Sequence, residues 1–282
     1  MSTSSASKIA FIGGGNMASA LIGGLLRAGR APADIVVIEP FAAQRDKLVA
    51  DFGVAALASA DVAPAGPALA AAGLVVWAVK PQLFAAAAAP CAPWVAGALQ
   101  MSVMAGIRCA SIARAIGLAP DAARTVRSMP NTPALIGRGI AGLYATPAVT
   151  APERAQVEQL LAPTGQTLWV DQEVHLDAVT ALSGSGPAYV FYVIEAMVAA
   201  AAEMGLSPEQ GKRLALATLD GATELAARSD EPPSVLRERV TSKGGTTYAA
   251  LQSLQADGVA PAFVKALKAA QRRAAELGDE FG

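Results

Sequence analysis

The first apolar run of the chain, Ile9-Ala10-Phe11-Ile12, breaks into Gly13-Gly14-Gly15-Asn16-Met17-Ala18, and a helical pattern follows at once to about residue 28. A strand that turns through glycines into a helix has few ways to continue, because the helix must cross back over the sheet before the next strand can pair. The spacing has the form G-x-G-x-x-A. Gly13 permits the turn, Gly15 lets a pyrophosphate approach the backbone, and Ala18 allows close packing of helix on strand. Acidic Glu39 follows a second apolar run, Ile35-Val36-Val37-Ile38, at the position that usually meets a ribose. Glu39 is either a ribose ligand that favours NAD by repelling a 2′-phosphate, or a solvated strand end. Gln44 and Arg45 offer donors for such a phosphate, so these residues leave NADH and NADPH both open.

The alternation continues. Residues 42–52 keep helical period, Leu74-Val75-Val76-Trp77-Ala78-Val79 is a third strand and residues 99–104 a fourth, with Val126, 140–144 and 167–170 extending the sheet. Continuous apolar strands between helices predict a mainly parallel, doubly covered sheet. Residues 1–170 therefore read as an α/β, Rossmann-like N-terminal domain. After 171 the strand signal stops, and residues 171–282 read as an all-α domain. One helix runs from Pro187 to Met204, capped by Ser185 and ended by Gly205; Ser207-Pro208-Glu209-Gln210 is a capping box opening a helix to about 228; a last helix runs from Pro261 to about 277. The segment Tyr189-Val190-Phe191-Tyr192-Val193-Ile194 and its continuation to Ala202 are broken only by Glu195. A helix apolar all round must be covered on every side, and a domain of about a hundred residues can rarely do that alone. This predicts a partner subunit, the alternative being a central helix wrapped by its own neighbours.

Other classes of function are disfavoured. A net charge of −1 gives no field for nucleic acid or an anionic membrane. Cys91 and Cys109 match no metal motif, and a single histidine, His175, rules out a multi-histidine metal site, so no metal is expected. Residues 1–6 form a polar leader without the regions of a signal peptide, which makes a cytoplasmic setting the expectation. No charge appears between Lys80 and Arg108, longer than a spanning helix requires. Pro81, Pro90 and Pro93 interrupt that run and alanine dominates it. A buried strand near 99–103 and its preceding helix explain it better than a membrane.

A second glycine turn, Val240-Thr241-Ser242-Lys243-Gly244-Gly245-Thr246-Thr247, leads into apolar-periodic Tyr248-Ala249-Ala250-Leu251. It is another helix N-terminus suited to an anion. Two such turns suggest a ligand and a cofactor meeting in a cleft. Ala78-Val79-Lys80-Pro81-Gln82 closes the third strand, where ligands of open α/β sheets bind, leaving Lys80 as a ligand contact or a surface lysine. In Arg127-Ser128-Met129-Pro130-Asn131-Thr132-Pro133 the prolines fix the backbone, and Asn131 either donates its amide to a nicotinamide or ribose or belongs to a plain turn. Leu182-Ser183-Gly184-Ser185-Gly186-Pro187-Ala188 bridges the domains, with capping as its favoured role. His175 lies in a leading helical turn with nothing nearby to tune it, so it reads as a capping or surface residue. Without a usable histidine, reduction of an imine is more natural than reduction of a carbonyl, because an imine takes its proton from solvent before hydride arrives.

Taken together, these motifs resemble the pyrroline-5-carboxylate reductase family over essentially the whole chain. The most specific match is residues 236–251, similar to the family's signature near the C-terminus. The resemblance implies a Rossmann domain with Gly13, Gly14, Gly15, Asn16, Met17, Ala78, Val79, Lys80, Pro81 and Asn131 on the cofactor side, beside Glu39, and NADPH or NADH as cofactor. It implies an all-helical dimerisation domain, with dimers often assembled into rings. It also implies that Thr241, Ser242, Lys243, Gly244, Gly245, Thr246 and Thr247 hold the carboxylate of 1-pyrroline-5-carboxylate, that Thr247 faces the ring nitrogen as the catalytic residue, and that the nicotinamide comes from the neighbouring subunit. Two departures stand out: Lys243 replaces a common proline, and Glu39-Pro40 replaces small polar or basic residues. A hydroxy-acid dehydrogenase would carry a lysine on the interior helix 187–204, which has none. A cofactor-sensing scaffold would have no need of the 240–247 loop.

Overall fold

A computed structural model describes residues 8–281, so the polar leader lies outside the described residues. The chain divides into two compact units, one comprising residues up to 185 together with 270–282, the other residues 186–269. The change of sequence character at 171 precedes this division for a packing reason. A Cβ on Gly142 would lie 2.5 Å from Val179 Cγ1, so the helix carrying Val179 is pressed onto the sheet. At the other end, a Cβ on Gly106 would lie 3.1 Å from the Leu277 carbonyl, which ties the last helical turns to the first unit.

In the first unit, β1 (Lys8–Ile12), α1 (Asn16–Arg27), β2 (Ile35–Ile38), α2 (Ala42–Phe52), β3 (Ala55–Leu57), α3 (Ala65–Ala70), β4 (Ala72–Trp77), α4 (Phe84–Val95), β5 (Leu99–Ser102), α5 (Cys109–Ala115), β6 (Thr125–Met129), β7 (Gly139–Ala145), α6 (Ala151–Leu161), β8 (Gly165–Trp169) and α7 (His175–Val179) follow one another. The eight strands form one sheet in the order β3-β2-β1-β4-β5-β6-β7-β8. All neighbours are parallel except β6 and β7. The short link between those two, 130–138, cannot carry a crossover and forces a reversal.

Alternate residues of each strand feed two different cores. Ile9, Phe11, Ile35, Val37, Leu74 and Val76 join α1 and α6 on one face. Ala10, Ile12, Val36, Ile38, Val75 and Trp77 join α3, α4 and α5 on the other. That two-sided demand is why the strands read as unbroken apolar runs. The helix expected before β5 is α4, which holds Pro90 and Pro93 within its length. The uncharged run is thus a helix and a strand of the sheet's own cover.

The second unit holds α8 (Gly186–Glu203), α9 (Pro208–Ala227), α10 (Pro233–Arg239), α11 (Thr246–Ala256) and most of α12 (Val259–Phe281). The Ser207–Gln210 capping box is present, with the Gln210 amide 3.2 Å from Ser207 Oγ and the Ser207 amide 2.8 Å from Gln210 Oε1. α9 packs on α8, closely where Gly211 meets Ala201, and Tyr189 meets Phe263 of α12 edge to face. Another part of α8 is open: Phe191 is 60% and Tyr192 74% exposed in the single chain. The reading in which α8 is wrapped by its own neighbours therefore fails. The continuous helical path His175–Glu203 has the length and composition of a membrane span, and little of it is buried within one chain.

In the core on the α4 side of the sheet lies a buried polar network. Trp77 Nε1 donates to Gln100 Oε1 at 2.9 Å, and Gln100 Nε2 donates to the Val95 and Ala98 carbonyls at 2.8 and 3.0 Å. Gln100→Leu would strand one donor and two acceptors in the core, so it should cost about 3 kcal/mol. Urea unfolding at fixed protein concentration checks this; a loss below about 1 kcal/mol would contradict it.

Candidate active site

The first glycine turn is shaped by close approach. Gly13 has φ +97°, and a Cβ there would sit 2.6 Å from the Ala78 carbonyl oxygen. Its amide donates to the Ile38 carbonyl at 2.8 Å, and the Ala78 amide to Ile12 at 2.8 Å, so the turn is clamped between the ends of β2 and β4. Gly14 is wedged beneath Leu48, whose Cδ1 would lie 2.5 Å from an added Cβ. Gly15, by contrast, has open space around it and caps α1 without any side-chain bond to the first turn. The amides of that turn are therefore free for an anion, and the cradle fits a pyrophosphate.

Glu39 is buried, not a solvated strand end. Its Oε2 accepts from the Gly14 amide at 2.9 Å and its Oε1 from Phe41 at 3.0 Å. Gln44 Nε2 donates to the Gly14 carbonyl at 2.5 Å, while Arg45 Nη1 donates to the Glu39 and Pro40 carbonyls at 2.9 and 2.7 Å. Asn16 and Lys80 are exposed, and Met17, Ala78 and Val79 are half-buried around this turn. Lys80 precedes a short 3₁₀ turn, Pro81–Leu83.

Asn131 has a task that its sequence context did not reveal. Ser185 does not cap a new helix as expected; α7 passes through a π-helical turn, Thr180–Gly184, directly into α8. The Ser185 amide reaches back five residues to the Thr180 carbonyl at 2.8 Å. Pro187 has no N–H, so the Ser183 carbonyl lacks the donor a regular helix would supply. Asn131 Nδ2 supplies it at 3.2 Å, while Asn131 Oδ1 accepts from the Ile140 amide at 3.0 Å. One amide hydrogen of Asn131 is left over for a ligand.

Beside this junction lies a charged cluster that sequence reasoning missed. Buried Arg127 on β6 pairs with Glu173 at 2.9 Å, and the same carboxylate oxygen accepts from the Cys109 amide at 2.7 Å. The visible signal was a lone arginine in the middle of a short strand. Burial and then the Glu173 charge push the Cys109 thiol up, and burial with Asp61 raises Cys91 to about 12. Both thiols stay protonated at neutral pH and supply no nucleophile. Asp177 is buried too; desolvation raises its carboxyl against the pull of Arg108 and Arg127. His175 is exposed at the start of α7.

In the second unit the 240–247 turn closes α10 and opens α11. The Thr241 amide and hydroxyl bond back to the Glu238 and Arg237 carbonyls at 3.0 and 2.6 Å. Gly244 has φ +75°, the Gly245 amide donates to Ser242 at 3.0 Å, and Gly245 caps α11 without a side-chain bond. Ser242, Lys243 and Thr246 are exposed; Thr247 is half-buried in the first helical turn. This is a second helix start with uncommitted amides.

Comparison with known proteins bears on both units. Residues 173–277 match the family described as pyrroline-5-carboxylate reductase dimerisation. Residues 8–106 match the one described as NADP oxidoreductase, coenzyme F420-dependent. A pyrroline-5-carboxylate reductase of Pseudomonas aeruginosa is 45% identical over 276 residues, 98% of each chain. The structure of a pyrroline-5-carboxylate reductase from Coxiella burnetii superposes with a TM-score of 0.86 at 34% identity, covering 96% of this chain and 98% of that one. That of a pyrroline carboxylate reductase from Plasmodium falciparum, with NADP bound, gives 0.84 at 27% identity, covering 97% and 98%.

Two expectations follow from the geometry. Asn131→Leu orphans the Ile140 amide and the Ser183 carbonyl and should cost about 2–3 kcal/mol, whereas Asn131→Asp keeps the Ile140 acceptor and should lose less. Equal unfolding midpoints for the two variants would contradict the bridging role. Asp177→Asn removes a carboxylate that is penalised when charged, so it should stabilise the fold at neutral pH. Because the wild-type group has a raised folded-state pKa, its penalty fades as pH falls through that pKa, and the advantage of the variant should shrink with it. Thermal unfolding across pH reads this directly; a pH-independent gain would be contrary.

Proposed function

The chain belongs to the pyrroline-5-carboxylate reductase family, and we propose that its two glycine turns divide the work of that reaction between cofactor and substrate. It is an NAD(P)H-dependent oxidoreductase that reduces 1-pyrroline-5-carboxylate to L-proline, the final step of proline biosynthesis. It self-associates through its helical unit. The observation that carries the division of labour is that α1 and α11 both begin at glycines with no side-chain cap, which leaves two sets of backbone amides for two anions.

Gly13, Gly14, Gly15, Asn16 and Met17 form the pyrophosphate cradle, and Ala78, Val79, Lys80, Pro81 and Asn131 border the nicotinamide half. Bound there, the dihydronicotinamide supplies a hydride to the imine carbon. The turn from Thr241 to Thr247 holds the substrate carboxylate with its amides and the Ser242 hydroxyl, and Lys243 adds an attractive charge. Thr247, one residue into α11, offers its hydroxyl to the ring nitrogen. No histidine is required, because the imine is basic enough to be protonated from water; positioning and a hydrogen-bond partner suffice. The loop of one subunit serves the nicotinamide site of its neighbour, and dimers assemble further into rings. A cytoplasmic setting without nucleic-acid or membrane partners suits the near-neutral charge, with a second subunit covering the apolar face of α8.

Thr247→Ala should lower kcat for pyrroline-5-carboxylate by about 10- to 100-fold, the worth of one hydrogen bond made in the transition state, while leaving cofactor affinity unchanged. Steady-state kinetics with unaltered kcat would remove Thr247 from the chemistry.

A further inference from the structure

We propose that Arg127 and Glu173 are positioning residues for hydride transfer: their buried pair sets the register between the exit of β6 and the π-helical turn, and so aims Asn131. This rests on the reading that Asn131 borders the nicotinamide. Glu173 joins three segments that are distant along the chain. Its Oε1 accepts from Arg127 Nη1 on β6 at 2.9 Å and from the Cys109 amide at the start of α5 at 2.7 Å. Glu173 lies just before α7, and Arg127 one turn of chain before Asn131. Beyond the pair, the helical segment meets the sheet again at each step. Val179 of α7 is pressed onto Gly142 of β7, and a Cβ on Gly184 would lie 2.6 Å from Met129 Cε. Asn131 Nδ2 then donates to the Ser183 carbonyl at 3.2 Å. The ion pair is the first fixed point of a seam whose last is Asn131.

The pair is poorly built for stability alone. Arg127 is 5% exposed, yet its Nε lies buried without a partner. Asp177 is a second carboxylate that feels the Arg127 charge, and among the described residues no hydrogen bond joins the two. A buried ion pair with an unserved polar atom gives little over apolar side chains of similar size, whereas removing one partner leaves a bare charge. What this carboxylate does supply is registry, because Arg127 and Cys109 both donate to one oxygen along fixed directions. A slip there would carry along α7 to Ser183. Asn131 would then be pulled between Ser183 and Ile140, its partners at 3.2 and 3.0 Å. Hydride transfer tolerates little of this, since a misplacement of about 1 Å costs on the order of a hundredfold in rate.

Single-turnover measurement on the whole protein, loaded with NADPH or NADH and mixed with saturating 1-pyrroline-5-carboxylate, separates positioning from folding. The amplitude of the absorbance loss counts competent sites, and the rate constant reads the step within each. Arg127→Met or Glu173→Leu alone should lower both stability and rate constant. Made together, they replace the pair by apolar side chains and should return most of the unfolding midpoint. The rate constant should nevertheless stay about 10- to 100-fold below wild type. Glu173→Gln keeps an oxygen for both donors and should hold the rate constant within about fivefold of wild type. In the cofactor-free protein the Ser185 amide is bonded to the Thr180 carbonyl at 2.8 Å. It should exchange with deuterium about tenfold faster in the double variant. A double variant whose rate constant returns to wild type would overturn the proposal. So would Ser185 exchange at the wild-type rate, or Glu173→Gln turning over no faster than Glu173→Leu. Asn131→Ala tests the reading beneath: an unchanged rate constant there, beside slow pair variants, would move Asn131 away from the nicotinamide and remove the path through which the pair acts. A slow Asn131→Ala beside fast pair variants would leave Asn131 in place and refute the positioning alone.

Discussion

The apolar surface of α8 that one chain leaves in water is the constraint around which the second unit is arranged. Val190, Phe191 and Tyr192 stand exposed along it, although α9 packs on the same helix, closely at the Gly211–Ala201 contact. Each such side chain gains about 1.5–3 kcal/mol when fully buried, so a partner surface of the same kind is strongly favoured over solvent. The match of residues 173–277 to a dimerisation family supplies that partner: a second copy of the chain. In the π-helical turn that precedes α8, Asn131 completes the Ser183 carbonyl that Pro187 cannot serve. An enzyme organised this way has its helical surface committed to assembly.

The two glycine turns solve one electrostatic problem twice. In each, a residue without a Cβ lets the backbone fold back, and the following helix presents amides that no side chain has claimed. The turns differ in what surrounds them. The first is clamped by β2, β4 and Leu48 into a rigid cradle, whereas the second is exposed at Ser242, Lys243 and Gly244. A rigid cradle suits a cofactor whose reactive end must be aimed, and an accessible turn suits a small substrate that enters and leaves.

Much of this was legible in the sequence because local chemistry and tertiary demand agreed. The strands around Val37 and Val76 are apolar on both faces because both faces are covered, and Ser207–Gln210 caps a helix wherever it occurs. Legibility failed where a residue's partner lies far along the chain. Ser185 looked like a cap, but an interior proline and a distant asparagine together allow the helix to continue through a π turn. Glu39 read equally as a ribose ligand or a solvated strand end; only the fold brings Gly14 and Phe41 onto its oxygens. Arg127 and Glu173 are separated by 46 residues, and no local pattern announces their pairing. The three-residue strand β3 and the short helix α5 carry too few residues for a periodic signal.

The central claim is that the substrate turn of one subunit works on the nicotinamide site of the other. Subunit mixing tests it most directly. Thr247→Ala cripples the second turn, and Gly15→Leu fills the open cradle of the first, each alone leaving at most about a tenth of wild-type activity. Re-pairing the two variants should restore up to about a quarter of wild-type activity, because each mixed dimer regains one intact site. Activity that stays at the level of the separate parents, while mixed dimers are shown to form, would place each site within a single chain and contradict the claim.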